Sequence, residues 1–130
     1  MNGKEEKDVI PIVVGGQMDK QTIARLIEQI APGKFEVSVK SDIEGAMAIK
    51  SGGAKYYVGA CATGAGGALG LAVGLLGPAV CVSISTPGKV MDDDEIRQQV
   101  RNGKKAFGFI NDHAERMLPS LLDEIVKKES

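Results

Sequence analysis

The chain of 130 residues sets 16 Lys and Arg against 17 Asp and Glu, for a formal charge of −1, and has no tryptophan. That length suits one domain, which buries about two-thirds of its unfolded surface. The even spread of charge excludes the basic stripe of a nucleic-acid binder. The first eight residues, polar and mixed in charge, read as a disordered tail ahead of a domain over residues 9–130, with no signal peptide. Cys61 and Cys81 lie in or beside apolar runs. Two thiols without a secretory leader imply a reducing, cytoplasmic setting and no disulfide framework.

In chain order, Val9 to Val14 is a continuous apolar run suited to a strand covered on both faces, and Gly15-Gly16 ends it. Asp19 is placed to cap a helix in which Ile23, Leu26, Ile27 and Ile30 share one face, and Pro32-Gly33 stops it. Phe35 to Lys40 alternates as a second, edge strand. Ser41 or Asp42 caps a short helix that runs to Gly52-Gly53. Tyr56 to Ala60 forms a third strand, followed by a glycine turn and an apolar helix to about Leu76; Ala79 to Ile84 is the fourth strand. Asp92-Asp-Asp-Glu opens a helix at the positive end of its dipole, ending at Gly103. Ala106 to Ile110 is the fifth strand, and Asn111 or Asp112 caps a last helix containing Pro119.

No charged residue occurs between Tyr56 and Gly88. A membrane helix needs about 20 uninterrupted apolar residues, and here Gly77-Pro78 breaks the run. No membrane insertion is expected. Five strands alternating with five helices imply a mostly parallel five-stranded α/β sheet with helices on both faces. This is a flavodoxin-like or Rossmann-like three-layer sandwich, with 2-1-3-4-5 as the expected order. Ligands of such sheets bind beyond the strands' carboxyl ends at the switch point, here between strands 1 and 3.

The loops that face that crevice are glycine-rich. Gly15, Gly16 and Gln17 form one wall; Cys61, Ala62, Thr63, Gly64, Ala65, Gly66 and Gly67 form the other. Backbone amides converging at a helix start beside its positive dipole end suit phosphate or carboxylate. Glycines let that backbone approach a ligand, and Thr63 adds a hydroxyl. A helix start also favours the Cys61 thiolate, whereas Cys81, between two valines, reads as core. His113, the only histidine, follows strand 5 on the same edge and is a candidate for proton transfer. Ser85, Thr86 and Asn111 are candidate ligand-orienting groups there. The turn has no Walker lysine and misses the dinucleotide fingerprint, so no nucleotide cofactor is expected. A lone histidine without a clustered His/Cys pattern argues against a protein-bound metal. The expected partner is a small anionic metabolite. Because Ala65–Leu76 has no polar face, a homo-oligomer through that helix is expected as well.

Ser51-Gly-Gly-Ala-Lys-Tyr-Tyr-Val-Gly-Ala-Cys-Ala-Thr-Gly-Ala-Gly-Gly-Ala-Leu69, with Ala31-Pro-Gly-Lys-Phe-Glu-Val before it and Gly103-Lys-Lys-Ala-Phe-Gly108 after it, resembles the small bacterial domain-of-unknown-function family typified by YhfU. More remotely, Ser-Gly-x-Ala, a strand, Cys61, Thr63-Gly64 and Gly66 are similar to ribose-5-phosphate isomerase B, with one residue inserted between Cys61 and Thr63. That likeness implies Cys61 as a base and the amides of Thr63 to Gly67 as an oxyanion site, acting on a phosphorylated sugar. Two alternatives stand beside it. One is a phosphocarrier resembling the cysteine-bearing IIB components of sugar phosphotransferase systems. The other is a non-catalytic metabolite-binding or assembly subunit.

Overall fold

The computed structural model describes residues 9–62 and 66–130; the expected tail at residues 1–8 and the positions Thr63, Gly64 and Ala65 lie outside them. The strands are β1 (Ile10–Gly16), β2 (Phe35–Val39), β3 (Tyr56–Cys61), β4 (Cys81–Ser83), β5 (Ser85–Thr86), β6 (Lys89–Val90) and β7 (Ala106–Ile110). The helices are α1 (Lys20–Ile30), α2 (Asp42–Ser51), α3 (Gly66–Leu76), α4 (Asp93–Arg101) and α5 (Ala114–Glu129).

The main sheet is five-stranded and parallel, in the order β2-β1-β3-β7-β4. The layered α/β class is as expected. The last two strands of the expected order are exchanged, because the strand at residues 106–110 lies inside β4. The reason is visible in their burial. Ala106-Phe-Gly-Phe is buried throughout, as a strand covered on both faces must be. β4 is three residues long and only Cys81 of it is buried. The expected strand over Ala79–Ile84 is instead shared between a 3₁₀ turn at Pro78–Val80 and β4, and a hairpin follows it in which β5 and β6 pair antiparallel.

Strand residues alternate between two cores. Ile12 and Val14 of β1, Tyr56 and Val58 of β3, and Phe107 and Phe109 of β7 pack with Ile23 and Ile27 of α1, Ile96 and Val100 of α4, and Met117, Leu118, Leu121 and Leu122 of α5. Val13, Tyr57, Cys81 and Ala106 face the other side, with Ala46 and Ile49 of α2 and Leu69 and Ala72 of α3. This second layer sets Tyr57, Ile49 and Leu69 among several alanines. The register also aligns Gly15, Gly59 and Gly108 across three neighbouring strands, which removes a row of side chains just below the carboxyl edge.

The helix ends follow local chemistry where side chains are available for it. Ser41 caps α2 in a reciprocal capping box with Glu44, and Asp92 does the same for α4 with Glu95. Asp19 and the Asn111/Asp112 pair depart from the expected capping role. Asp19 lies in the left-handed region at φ 56° and makes no cap bond, because its carboxylate is turned to Asn111. A 3₁₀ turn at Asn111–His113 leads into α5 without a side-chain cap.

Gly45 is the tightest approach of α2 to the sheet. A Cβ there would lie 2.8 Å from the Tyr57 ring and 2.9 Å from Val13 Cγ1, with the ring held at its far end by hydrogen bonds. Gly45→Ala is therefore expected to destabilise the fold by about 1–2 kcal/mol, overpacking outweighing the roughly 1 kcal/mol helix-propensity gain. Urea denaturation measures it, with a lower midpoint at an unchanged slope as the expected result.

Candidate functional site

The carboxyl ends of β1, β3 and β7 lie side by side, with Gly16 registered on Ala60 and Cys61 on Ile110. The first wall is a closed network. The Gly16 N–H donates both to Asp42 Oδ1 and to the Tyr57 hydroxyl oxygen, 3.1 Å away. Tyr57 in turn donates to Asp42 Oδ1 at 3.1 Å. The next two amides, of Gln17 and Met18, both donate to the carbonyl of Ala60. The amides of Gly16, Gln17 and Met18 thus serve to fasten the β1 loop onto β3 and α2. The groups this loop presents outward are the exposed side chains of Gln17, Met18 and Asp19.

Gly16 has to be glycine for this arrangement. Its φ is +82°, and a Cβ would lie 2.5 Å from the Ala60 nitrogen, a conformation and an approach that L side chains do not tolerate. Gly15 lies against the Tyr57 ring, where a Cβ would meet Cε2 at 2.6 Å. The two glycines read as a phosphate wall are, in the first instance, the seat of Tyr57.

At the far side of the crevice, Ser85 is completely buried. Its hydroxyl oxygen accepts the Ile110 N–H at 2.8 Å and lies 3.1 Å from His113 Nδ1. With Nδ1 unprotonated, Ser85 donates to it; with the ring charged, Ser85 accepts from it. The same contact serves both protonation states. His113 and Asn111 are half-buried, and Asn111 Nδ2 donates to Asp19 Oδ2 at 3.1 Å. Because β3 lies between β1 and β7, this bridge spans the end of β3, where Cys61 is buried and Ala62 exposed. Thr86 departs from the group, its hydroxyl donating to the Lys89 carbonyl inside the β5–β6 hairpin. Gly66 and Gly67 open α3; Thr63, Gly64 and Ala65 are outside the described residues.

Cys81 belongs to the core behind α3, its thiol within 3.4 Å of the Gly77 carbonyl, and burial pushes its pKa up. Among the described residues no group of three or more His, Cys, Asp and Glu side chains is arranged to hold a metal ion, and no helix is long and apolar enough to cross a membrane. The polar pins Asp42, Tyr57 and Asp19 were not legible as site residues. Asp42 reads as a helix start and Tyr57 as an ordinary strand residue, and only the tertiary approach of α2 to β1 unites them.

Both tyrosines of the chain are held protonated. Burial, then the carboxylate of Asp42, drives the pKa of Tyr57 well above the usual phenol range; burial, then Glu129, does so for Tyr56. A folded-state pKa above the unfolded value means stability that is intact below pH of about 10 and lost as pH rises beyond it. Each phenol should steepen the loss by up to about 1.4 kcal/mol per pH unit. Tyr57→Phe is expected to cost about 1 kcal/mol at neutral pH and to remove its share of the alkaline loss. Urea melts from neutral to alkaline pH, with tyrosinate absorbance followed in parallel, test both.

A model of the family described as "Protein of unknown function DUF2620" matches residues 10–125. The chain is 40% identical over 108 residues to "Uncharacterized protein YhfU" of Escherichia coli strain K12, covering 83% of this chain and 92% of the relative. The corresponding proteins of Escherichia coli O6:H1 and Shigella flexneri match with the same identity and coverage. No solved structure matches. The match spans the whole sheet and every element that frames the crevice, and the chain belongs to the DUF2620 family.

Proposed function

We propose that this protein binds a small anionic metabolite, such as a phosphorylated sugar or organic acid, at the carboxyl edge of β1, β3 and β7, where His113 and Cys61 would move protons. The observation that supports this reading is the Ser85–His113 pair. A buried hydroxyl fixed by a backbone amide holds one ring nitrogen and can serve either protonation state, which is what a general acid–base group needs. Cys61 is registered on Ile110, three residues before His113, so thiol and imidazole belong to adjacent strand ends. The helix start at Gly66 supplies the positive dipole end that favours an anion.

A thermal-shift panel of sugar phosphates and organic acids tests the binding. A true ligand at about 100 times its Kd adds about 2.7 kcal/mol of stability, a shift of roughly 10 °C for a domain of this size. His113→Gln and Cys61→Ala are expected to keep that shift while reducing turnover of the same compound by at least about 100-fold. Absence of stabilisation by every compound overturns the reading. Ligand binding without turnover in the wild type reduces it to the non-catalytic subunit.

The α2–α3 face supports self-association. α3 buries Leu69 and Ala72 yet leaves Leu71 and Val73 45% and 37% exposed, beside Ile43 and Met47 of α2 at 56% and 45%. Gly70 and Gly74 of α3 open onto empty space, so a second α3 has room to approach closely. The expected assembly is a two-fold homodimer through this face. Light scattering at micromolar concentration should return twice the 13.6 kDa chain mass, and Leu71→Glu/Val73→Glu should return the monomer. A monomeric wild type would exclude it.

A further inference from the structure

We infer that the amino edge of the sheet carries a second anion site, on the side of the molecule opposite the crevice, suited to a phosphate-sized multivalent oxyanion. Lys55 and Tyr56 lead into β3, Lys104 and Lys105 immediately precede β7, and Lys128 and Glu129 end α5. β3 and β7 are neighbours in the sheet, joined at this edge by the Tyr57 N–H donating to the Lys105 carbonyl. Together these side chains line a cleft of about 270 Å³. Four of the chain's 16 basic residues share that cleft with one carboxylate, in a protein whose formal charge is −1 overall.

The carboxylate does not neutralise the cleft. Both oxygens of Glu129 are engaged, Oε1 by Lys55 at 2.9 Å and Oε2 by the Tyr56 hydroxyl at 2.7 Å. Lys104 donates to the Ala79 carbonyl at 2.8 Å, and Lys128 to the carbonyls of Val100 and Arg101 at 3.2 and 3.4 Å. Those partners are uncharged. They fix the ammonium groups in place without a carboxylate to neutralise them, although the last carbonyls of α4 offset part of the Lys128 charge, and each ammonium retains further N–H donors. Lys105 has no side-chain hydrogen bond or ion pair among the described residues. The residues that line the cleft thus carry four positive charges against one carboxylate.

The chemistry of the lining identifies the ligand class. No arginine takes part, so nothing here reads the planar fork of a single carboxylate. Lysines are point charges on flexible stems, and they satisfy a tetrahedral oxyanion approached from several sides. The cleft has room for a phosphate and part of the group that bears it. Lys105, exposed and without a side-chain partner among the described residues, is the residue positioned to reach an incoming anion first; Lys55, also exposed, would share its ammonium between that anion and Glu129.

The test is an amide NMR titration of the full chain with pyrophosphate at fixed ionic strength, with sodium chloride as the control. Saturable shifts are expected at residues 55, 104 and 105. Lys55→Gln/Lys105→Gln should weaken the apparent affinity by about tenfold, each lost ammonium contributing a partly screened interaction. A linear response that chloride reproduces, or an affinity unchanged in the double variant, overturns the inference. Shifts confined to Gln17, Asn111 and His113 also overturn it, while supporting the proposed crevice. Saturable shifts at the amino edge uphold it whether or not the crevice residues also shift.

Discussion

The architecture of the carboxyl edge hangs on one phenol. Tyr57 rises from the middle sheet strand into a gap cleared by Gly15 and Gly45, and its hydroxyl meets Asp42 and the amide of Gly16. Three segments far apart in sequence are joined by that contact: the end of β1, the start of α2 and the body of β3. A buried hydroxyl and a half-buried carboxylate are costly unless their bonds are made. Here each satisfies the other, and the left of the crevice is held as a unit. The positive φ of Gly16 turns the chain beyond it, so that the Gln17 and Met18 amides reach the Ala60 carbonyl.

The two faces of the sheet are built to different standards. On one, three helices bury long side chains such as Phe107, Phe109, Met117 and Leu121. On the other, two helices close over Tyr57, Val13 and several alanines, with Gly15 and Gly45 making room for the Tyr57 ring. The missing side chains at Gly15 and Gly45 let α2 come close enough for Asp42 to meet Tyr57 and the Gly16 amide. The same two helices leave Leu71, Val73, Ile43 and Met47 exposed.

The polar groups divide the molecule along the strand direction. Toward the carboxyl edge lie Asp19, Asn111, Ser85 and His113, where hydrogen bonds of defined geometry hold side chains across β1, β3 and β7. Toward the amino edge lie lysines held by carbonyls. The first arrangement orients groups and the second accumulates charge. Directed hydrogen bonds suit selection among similar small molecules, whereas clustered ammonium groups attract any compact polyanion.

Much of this fold was legible locally. Hydrophobic periodicity, continuous apolar runs and the acidic start at Asp92 together located each helix and each strand of the main sheet, because burial leaves its mark on local composition. Gly33, Gly52 and Gly103 marked chain reversals, and all three have positive φ. Ser41, one of two candidate caps, and the acidic run from Asp92 marked helix starts, and the structure closes each with a capping box. The exchange of β4 and β7 was not legible, since strand order depends on which surfaces find cover, and an apolar run looks alike at a sheet's centre and near its edge. Nor was the hairpin at residues 85–90, whose strands of two residues are too short for periodicity. The sequence also marked His113, Ser85 and Asn111 as neighbours of one edge. That Ser85 holds His113, that Asp19 abandons its helix to bridge to Asn111, and that Tyr57 reaches Asp42 were decided by tertiary structure alone. Such bonds link residues 15 to 92 positions apart, and a hydrogen bond exists only once the backbone has brought donor and acceptor within about 3 Å.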